Sequence, residues 1–397
     1  MGNIIVFILI LFALAALLRI DFFFTILYLL AGVYFLSRLW SRQVFKKLKI
    51  SRTLPERTFL GEQIDVTLTL ENLSHLPIPW LMINETFSAV LSSPPFFRTV
   101  ITLGGKSSYA ARYTLHARRR GYYAIGPLTL ETGDFLAINQ RLTNLYEPNH
   151  LIIYPKILPI SELGLPTHSP QVILPTPAPL FRDTTRIIGV RDYVPGDNPR
   201  HIHWPATAVS GRLSVKQFQT AIARDNSIFL NLERNDYGRP GQAGVAIELA
   251  IVVTASLAHH MITYETLPIG LTTIADDPLT GGQQKFQLAP NKGQGHLMQI
   301  LEVLARVEGT EGVDFSRSLR EESIHLSWGT TLIIITSAES EALLDTVLLL
   351  KRSGFHVTLI LVQPAAYSYP QTMRVQELGV PVYRVTREKD IETWLFP

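Results

Sequence analysis

The densest run of chemically capable side chains lies between residues 189 and 218. It reads Gly189-Val190-Arg191-Asp192-Tyr193-Val194-Pro195-Gly196-Asp197-Asn198-Pro199-Arg200-His201-Ile202-His203-Trp204, followed by Gly211-Arg212-Leu213-Ser214-Val215-Lys216-Gln217-Phe218. Pro195 fixes one backbone dihedral and Gly196 permits a positive one, so a tight turn is expected there, holding the flanking side chains on a rigid platform. Arg191, Arg200, Arg212 and Lys216 would then present cations beside Asp192 and Asp197, with Tyr193 and Trp204 supplying contact area. Arginine and aromatic side chains dominate the hot spots of protein interfaces, so this set suits recognition of a partner. The same residues can also satisfy one another, with Asp197 capping the turn, Arg191 and Arg200 paired internally and Trp204 in a core. The sequence leaves both readings open.

Sets suited to bond-making are weaker. His201 and His203 alternate as on a strand and would point to one side, but no third ligand follows at a usable spacing for a metal. His259 and His260 fall in a helical run beside Met261, where packing explains them. Gly238, Gly241 and Gly244 follow an expected strand and precede an expected helix, which suits a loop and a helix start. Their G-x-x-G-x-x-G spacing is not the dinucleotide fingerprint, and no complete G-x-x-x-x-G-K-[ST] phosphate loop occurs. A G-x-S-x-G elbow is absent too. The chain has no cysteine, which excludes disulfides, thiolate metal sites and a cysteine nucleophile. A net charge of +3 over 397 residues argues against a general nucleic-acid binder. No catalytic group, cofactor or metal is therefore expected, and the chain reads as an interaction module, not an enzyme.

The elements that must position these residues fall into blocks. Two apolar runs, Ile4 to Leu18 and Phe22 to Leu36, are broken only by Arg19, Ile20 and Asp21. Each is slightly shorter than the ~20 residues that cross a bilayer comfortably, but Asn3, Arg19 and Asp21 can extend the spans at the interface, and Tyr34 and Trp40 lie where aromatic anchors usually do. Residues 1–40 thus predict a transmembrane helical hairpin, with spans at about 4–18 and 22–38. A cleaved signal peptide is the alternative for the first run, opposed by the lack of Lys or Arg before it. Arg38, Arg42, Lys46, Lys47, Lys49 and Arg52 follow the second run, so the positive-inside rule places a multi-pass protein in a bacterial-type inner membrane with its main body cytoplasmic. The same basic stretch suits anionic lipid headgroups.

Residues 50–155 predict an antiparallel β-sandwich. Gln63 to Leu70 alternates with a period of two, and further strands are expected at Trp80 to Phe87, Phe97 to Leu103, Ser108 to Ala117 and Pro127 to Thr132. Residues 156–180 are rich in proline without a period and read as a linker. Residues 181–225 hold the arginine-bearing motif. Residues 226–397 alternate buried strands (Ser227 to Leu232, Leu267 to Ala275, Thr331 to Thr336, Phe355 to Val362, Val380 to Val385) with helical runs (Gly244 to Tyr264, Gly295 to Val307, Asp314 to Leu326, Glu339 to Lys351, Tyr369 to Leu378). That pattern predicts a doubly wound parallel sheet with its ligand edge at the strands' carboxyl ends.

The motif at 189–218 resembles the signature of the DUF58 family, approximately R-x-Y-x-P-G-D-x-x-R-x-I-x-W followed by a small basic hairpin. Arg119-Arg120-Gly121-Tyr122-Tyr123, Gly126-Pro127 and Gly133-Asp134-Phe135 resemble the segment that such proteins carry upstream. The resemblance implies a von Willebrand factor A-like domain after the motif. In metal-binding domains of that type the first strand ends in D-x-S-x-S, which holds a divalent cation. Here the corresponding run is Asn231-Leu232-Glu233-Arg234-Asn235-Asp236, with Thr336-Ser337-Ala338 on the later strand. Asn231 stands for the carboxylate and Glu233 and Asn235 for the serines, so the site reads as degenerate, because a hard cation needs anionic oxygens. The resemblance further implies association with a MoxR-type AAA+ ATPase, for which the chain would be a membrane-tethered adaptor. Contact is expected through Arg191, Tyr193, Asp197, Arg200, Trp204, Arg212 and Lys216 and through the rim residues Asn231, Glu233 and Asn235. The alternative is a metal-dependent receptor or hydrolase built on Glu233 and Asp236.

Overall fold

The computed structural model describes residues 47–133, 140–160, 183–194, 201–219, 225–238, 240–327, 329–337, 339–362 and 379–392, with 22, 24–29, 31–35 and a few other positions of the N-terminal apolar region. The chain is mixed α/β and divides into two compact units, one of residues 1–156 with 277–282 and 301–307, the other of the remainder. Most of the expected first span, most of the proline-rich linker, the Pro195–Arg200 turn and the expected helix at Tyr369 to Leu378 lie outside the described residues. Of the second expected span, Phe24–Phe35 forms a shorter apolar helix. Among the described residues one helix is long and apolar enough to cross a membrane, Ala243–Thr263, and it is mostly buried inside the second unit.

The first unit contains two sheets. β1 (Leu48–Thr53), β3 (Gln63–Asn72) and β6 (Ser108–His116) make one, ordered β1-β3-β6 and antiparallel throughout. β2 (Arg57–Phe59), β4 (Ile78–Phe87), β5 (Phe96–Leu103), β7 (Gly121–Gly133) and β9 (Asn149–Tyr154) make the other, ordered β2-β9-β7-β4-β5, with β8 (Gln140–Tyr146) also on β7. The period of two in β3 sends Ile64, Val66, Leu68 and Leu70 inward. They meet Leu81 and Ile83 of β4, Ile125, Leu128 and Leu130 of β7, and Leu151 and Ile153 of β9. Fully burying each such side chain contributes about 1.5–3 kcal/mol, which makes this layer the unit's main source of stability.

One charged group lies inside that layer. Glu85 of β4 is 0% exposed. Its carboxylate pairs with Arg52 of β1 and accepts a 2.5 Å hydrogen bond from the Tyr113 hydroxyl of β6. Arg52 also donates to Asn149 Oδ1 at 2.5 Å. Burial first, and the Glu85 charge second, push the Tyr113 hydroxyl well above the usual phenol range, so it stays a donor. Arg52 was expected in the basic membrane flank. The structure corrects this: its side chain is buried, and its charge is committed to Glu85.

The second unit is built on six strands, β12 (Asn226–Leu230), β13 (Ile269–Asp277), β14 (Gly282–Asn291), β15 (Thr331–Thr336), β16 (His356–Val362) and β17 (Val382–Val385), ordered β14-β13-β12-β15-β16-β17. The pairs from β13 to β17 are all parallel. β12 and β15 are buried along their whole length, as strands covered on both faces must be. Ahead of the sheet, β10 (Asp183–Asp192), β11 (Ser214–Gln219) and the short helix α1 (Trp204–Ser210) form a separate ribbon and cap. The helices that follow are α2 (Pro240–Thr263), α3 (Gln294–Arg306), α4 (Phe315–Ser323), α5 (Glu341–Arg352) and α6 (Glu388–Glu392). Phe315 and Leu319 of α4 and Leu343, Val347 and Leu350 of α5 pack on one face, against Phe229, Leu332, Ile334, Leu359 and Leu361. Ser340 caps α5 by accepting from the Leu343 amide, and Lys351 and Arg352 lie at its negative end. β14 was not anticipated: it is an edge strand whose exposed Gln283, Gln284, Lys285 and Gln287 give it no apolar run.

Candidate functional site

The arginine-bearing motif folds as a ribbon with a helix inserted in it. β10 and β11 pair antiparallel, with Val190 opposite Lys216, Arg191 opposite Val215 and Asp192 opposite Ser214. The Tyr193 amide continues the ladder by donating to the Leu213 carbonyl at 2.8 Å. Between the strands, α1 starts at His203, whose Nδ1 accepts from the Ala206 amide at 3.1 Å, and Pro205 occupies its first turn. It stops at Gly211, whose positive φ of 67° suits a glycine and whose amide returns to the Thr207 carbonyl. The Thr207 hydroxyl oxygen accepts from the Ser214 amide at 3.1 Å and ties the helix to β11. His203 is therefore a cap on a helix, which corrects the expectation that His201 and His203 share one side of a strand.

Packing contributes little to this helix. None of the seven residues of α1 is buried; Trp204 is 65% exposed and Val209 91%. Val190, Val194 and Leu213 on the ribbon are also exposed, as are Arg191 and Arg212, while Tyr193 and Lys216 are half-buried. Of the expected contact residues, the fold thus groups Arg191, Tyr193, Trp204, Arg212 and Lys216 on one ribbon and helix; Asp197 and Arg200 lie outside the described residues. Trp204 is not a core residue.

The rim residues are brought together at the point where strand order reverses, between β12 and β15, the place at which doubly wound sheets open a crevice. Asn231 follows β12 and Thr336 ends β15. The Asn231 side-chain amide donates to Asp236 Oδ2 at 2.7 Å and to the Thr336 hydroxyl at 3.0 Å. Its carbonyl oxygen accepts from the Glu233 amide at 3.0 Å. The Glu233 carboxylate accepts from the Asn235 side-chain amide at 2.7 Å and from the Val313 backbone amide at 2.7 Å. Tyr237 donates its hydroxyl to the Asn231 carbonyl at 2.6 Å.

Those bonds test whether the rim suits a divalent cation, and it does not. The Asn231 amide places hydrogens between Asp236 and Thr336, where a cation would need oxygens, and Glu233 has both oxygens engaged. Among the described residues no group of three or more histidine, aspartate or glutamate side chains is arranged to hold an ion. Asn231 and Glu233, expected as contact residues, are 1% and 4% exposed and support the loop from below. The exposed part of the rim is Asn235 with Arg234. Arg234 leans on the Gly309 carbonyl at 2.8 Å, a long-range contact with no local signal.

Asp236 carries a testable charge effect. Burial, the largest cause, raises its pKa, aided by the nearby Glu233 and Asp314 carboxylates and opposed by the Asn231 hydrogen bond. A carboxyl group whose folded pKa is raised costs stability above that pKa, and the cost vanishes below the unfolded value. Asp236→Asn, whose carbonyl oxygen can still accept from Asn231, is therefore expected to be more stable than wild type at neutral pH. Thermal unfolding from pH 7 down to below the ordinary carboxylate range should show that advantage shrinking to nothing.

The glycines 238, 241 and 244 lie at a bend and a helix start. Gly238 ends a 3-10 turn with a φ of 85°, and Gly241 and Gly244 lie within the first turns of α2. A Gly105-Lys106-Ser107 triplet does occur, but Val100 stands where a phosphate loop needs its first glycine and the triplet joins two strands, not a strand and a helix.

These features define a class: a chain with an antiparallel β unit, a doubly wound α/β unit whose rim is closed by its own side chains, and a ribbon with an unburied helix before the sheet. Residues 189–343 match a family model described as "Protein of unknown function DUF58", which begins at the ribbon and covers the rim. No curated protein matches the chain. Similar solved structures include the CARDB domain of the PF1109 protein from Pyrococcus furiosus in complex with di-metal ions (14% identity, 27% of this chain and 86% of that one, TM-score 0.20). A beta-glucosidase from Listeria innocua is 13% identical over 28% of this chain and 16% of its own, with a TM-score of 0.19. A chain in the complex of zinc 2-glycoprotein and prolactin inducible protein from human seminal plasma is 11% identical over 26% of this chain and 92% of its own, at 0.21. Scores this low carry no argument about function.

Proposed function

We propose that this chain is a membrane-anchored adaptor, held by an N-terminal helical hairpin in a bacterial-type inner membrane, with its main body in the cytoplasm. It binds protein partners and turns over no substrate. The observation that carries this reading is α1, a capped helix that buries none of its residues and holds Trp204 65% exposed, in the same ribbon-and-helix motif as the exposed Arg191 and Arg212. A large aromatic left in solvent, in one motif with exposed arginines, has the composition of an interface hot spot.

The second unit is best read as von Willebrand factor A-like. Support comes from the strand order and from the Asn231–Asp236 loop at the reversal point, with the cation's place taken by an amide. Likeness to the DUF58 family makes a MoxR-type AAA+ ATPase the first partner to seek. The metal-dependent receptor or hydrolase reading has no observation in its favour.

Affinity recovery from detergent-solubilised membranes tests the adaptor. Trp204→Ala combined with Arg212→Ala is expected to lose most of the recovered partner while unfolding stability changes by less than about 0.5 kcal/mol, as at other exposed sites. Unchanged recovery by a folded double variant would count against the proposal.

A further inference from the structure

Another exposed apolar residue is held in place in the first unit. Leu73, in the turn between β3 and β4, is 57% exposed, whereas its neighbours Asn72 and Ser74 are 1% and 3% exposed. The turn is rigid. Asn72 donates through its side-chain amide to the Leu76 and Gly104 carbonyls, both at 2.8 Å, and its side-chain oxygen accepts from the Ser74 amide and hydroxyl. The β5–β6 turn is interlocked with it: the Lys106 amide donates to the Ser74 carbonyl at 2.8 Å, and a Cβ on Gly105 would come within 2.2 Å of the His75 carbonyl oxygen. Such a network fixes Leu73 outward when a flexible turn would have let it fold back.

This end of the unit is also where the chain arrives from the N-terminal apolar region. The Leu73 amide donates to the Lys47 carbonyl at 2.9 Å, and Leu48 pairs with Asn72 in the β1–β3 register. Phe35, the last described residue of the apolar helix, is separated from Lys47 only by residues 36–46. Even fully extended, a chain of that length reaches no more than roughly 40 Å. Exposed Lys47 is joined to Leu73 through the backbone and exposed Lys106 lies on the interlocked turn, while Lys49, opposite Glu71 in the register, is paired with that carboxylate at 4.0 Å.

We infer that this tip rests on an anionic phospholipid bilayer, with Leu73 entering the headgroup layer and Lys47 and Lys106 lying against lipid phosphates. An exposed apolar side chain near two exposed lysines has the composition of an interfacial contact, and anionic lipids supply the complementary charge. The inference rests on the membrane-anchor reading above and extends it: the β unit is oriented on the membrane, not merely tethered to it.

The absence of native cysteine makes the test clean. Leu73→Cys, Leu29→Cys and Leu349→Cys, each in the full chain, are spin-labelled in vesicles of phosphatidylcholine with or without phosphatidylglycerol. Accessibility is compared between lipid-soluble oxygen and a water-soluble nickel complex. Leu29 lies in the apolar helix and Leu349 is an exposed leucine of α5. The expected result is a label at 73 that favours oxygen severalfold over the label at 349 in phosphatidylglycerol vesicles, with most of that preference lost when Lys47→Glu and Lys106→Glu are added. A label at 73 as wet as that at 349, while 29 reads as lipid, overturns the tip contact and leaves the anchor standing. A label at 29 in water overturns both. A label at 73 shielded from both probes points to a covering protein and also overturns the inference.

Discussion

Asn231→Asp is expected to destabilise the second unit by about 3 kcal/mol at neutral pH, although the side chain keeps its shape. The amide of Asn231 donates to Asp236 at 2.7 Å and to Thr336 at 3.0 Å, so the substitution exchanges a donor for a second carboxylate at hydrogen-bonding distance from the first. Loss of a hydrogen bond to a charged group costs roughly 1.5–3 kcal/mol, and the repulsion adds to it. Acidification should recover much of the loss, because two carboxylates this close share a proton and the folded variant then binds it more tightly than the unfolded chain. Unfolding curves at pH 7 and pH 5 would show the difference. Millimolar Mg²⁺ should leave the wild type unmoved in the same assay, since its amide already bridges the oxygens a cation would need; a stabilised wild type would contradict that reading of the rim.

Glu85→Ala is the second large effect, at about 3–5 kcal/mol in the first unit. The carboxylate is fully buried and holds both Arg52 and Tyr113, so its removal leaves a guanidinium inside the apolar layer without its charge partner. Replacing both partners by apolar side chains, Arg52→Met with Glu85→Leu, should return most of the stability, because the penalty comes from the unpaired charge. Hydrogen exchange across β3 and β4 reads the change directly, since amides in core strands open with the global free energy. Equal protection in Glu85→Ala and wild type would show that the pair is not buried as described.

Periodic segments were legible in the sequence, and segments stabilised in other ways were not. β3 announces itself by strict alternation and β15 by an unbroken apolar run, because burial on one face or two imposes those patterns. β14 escaped notice because it is an edge strand with polar side chains along an exposed face. α1 has no apolar period at all: it is held by the His203 cap, Gly211 and the Thr207–Ser214 bond, and only the fold brings Ser214 alongside. Arg52 shows the converse. A basic flank and a buried ion pair look alike in one dimension, and the decisive partner, Glu85, sits on another strand.

The candidate site divides along the same line. The residue set at the rim was legible from its likeness to a cation-binding loop, but the burial of Asn231 and Glu233 depends on Val313 and Thr336, which are distant in sequence. Arg191, Tyr193, Trp204, Arg212 and Lys216 were legible as a group because ribbon pairing keeps sequence neighbours together. The exposure of Trp204 was not, since tryptophan is as often packed inside.

The central claim is that the ribbon and α1 form a surface awaiting a protein. A photo-crosslinking amino acid placed at position 204 in the full-length chain, activated in native membranes and followed by mass spectrometry, tests it most directly, with position 349 on α5 as the exposed control. The account predicts a defined protein adduct from 204 that is absent from 349 and lost when Arg212→Ala is added. Adducts from 204 no different from those at 349, or none at all, would contradict it.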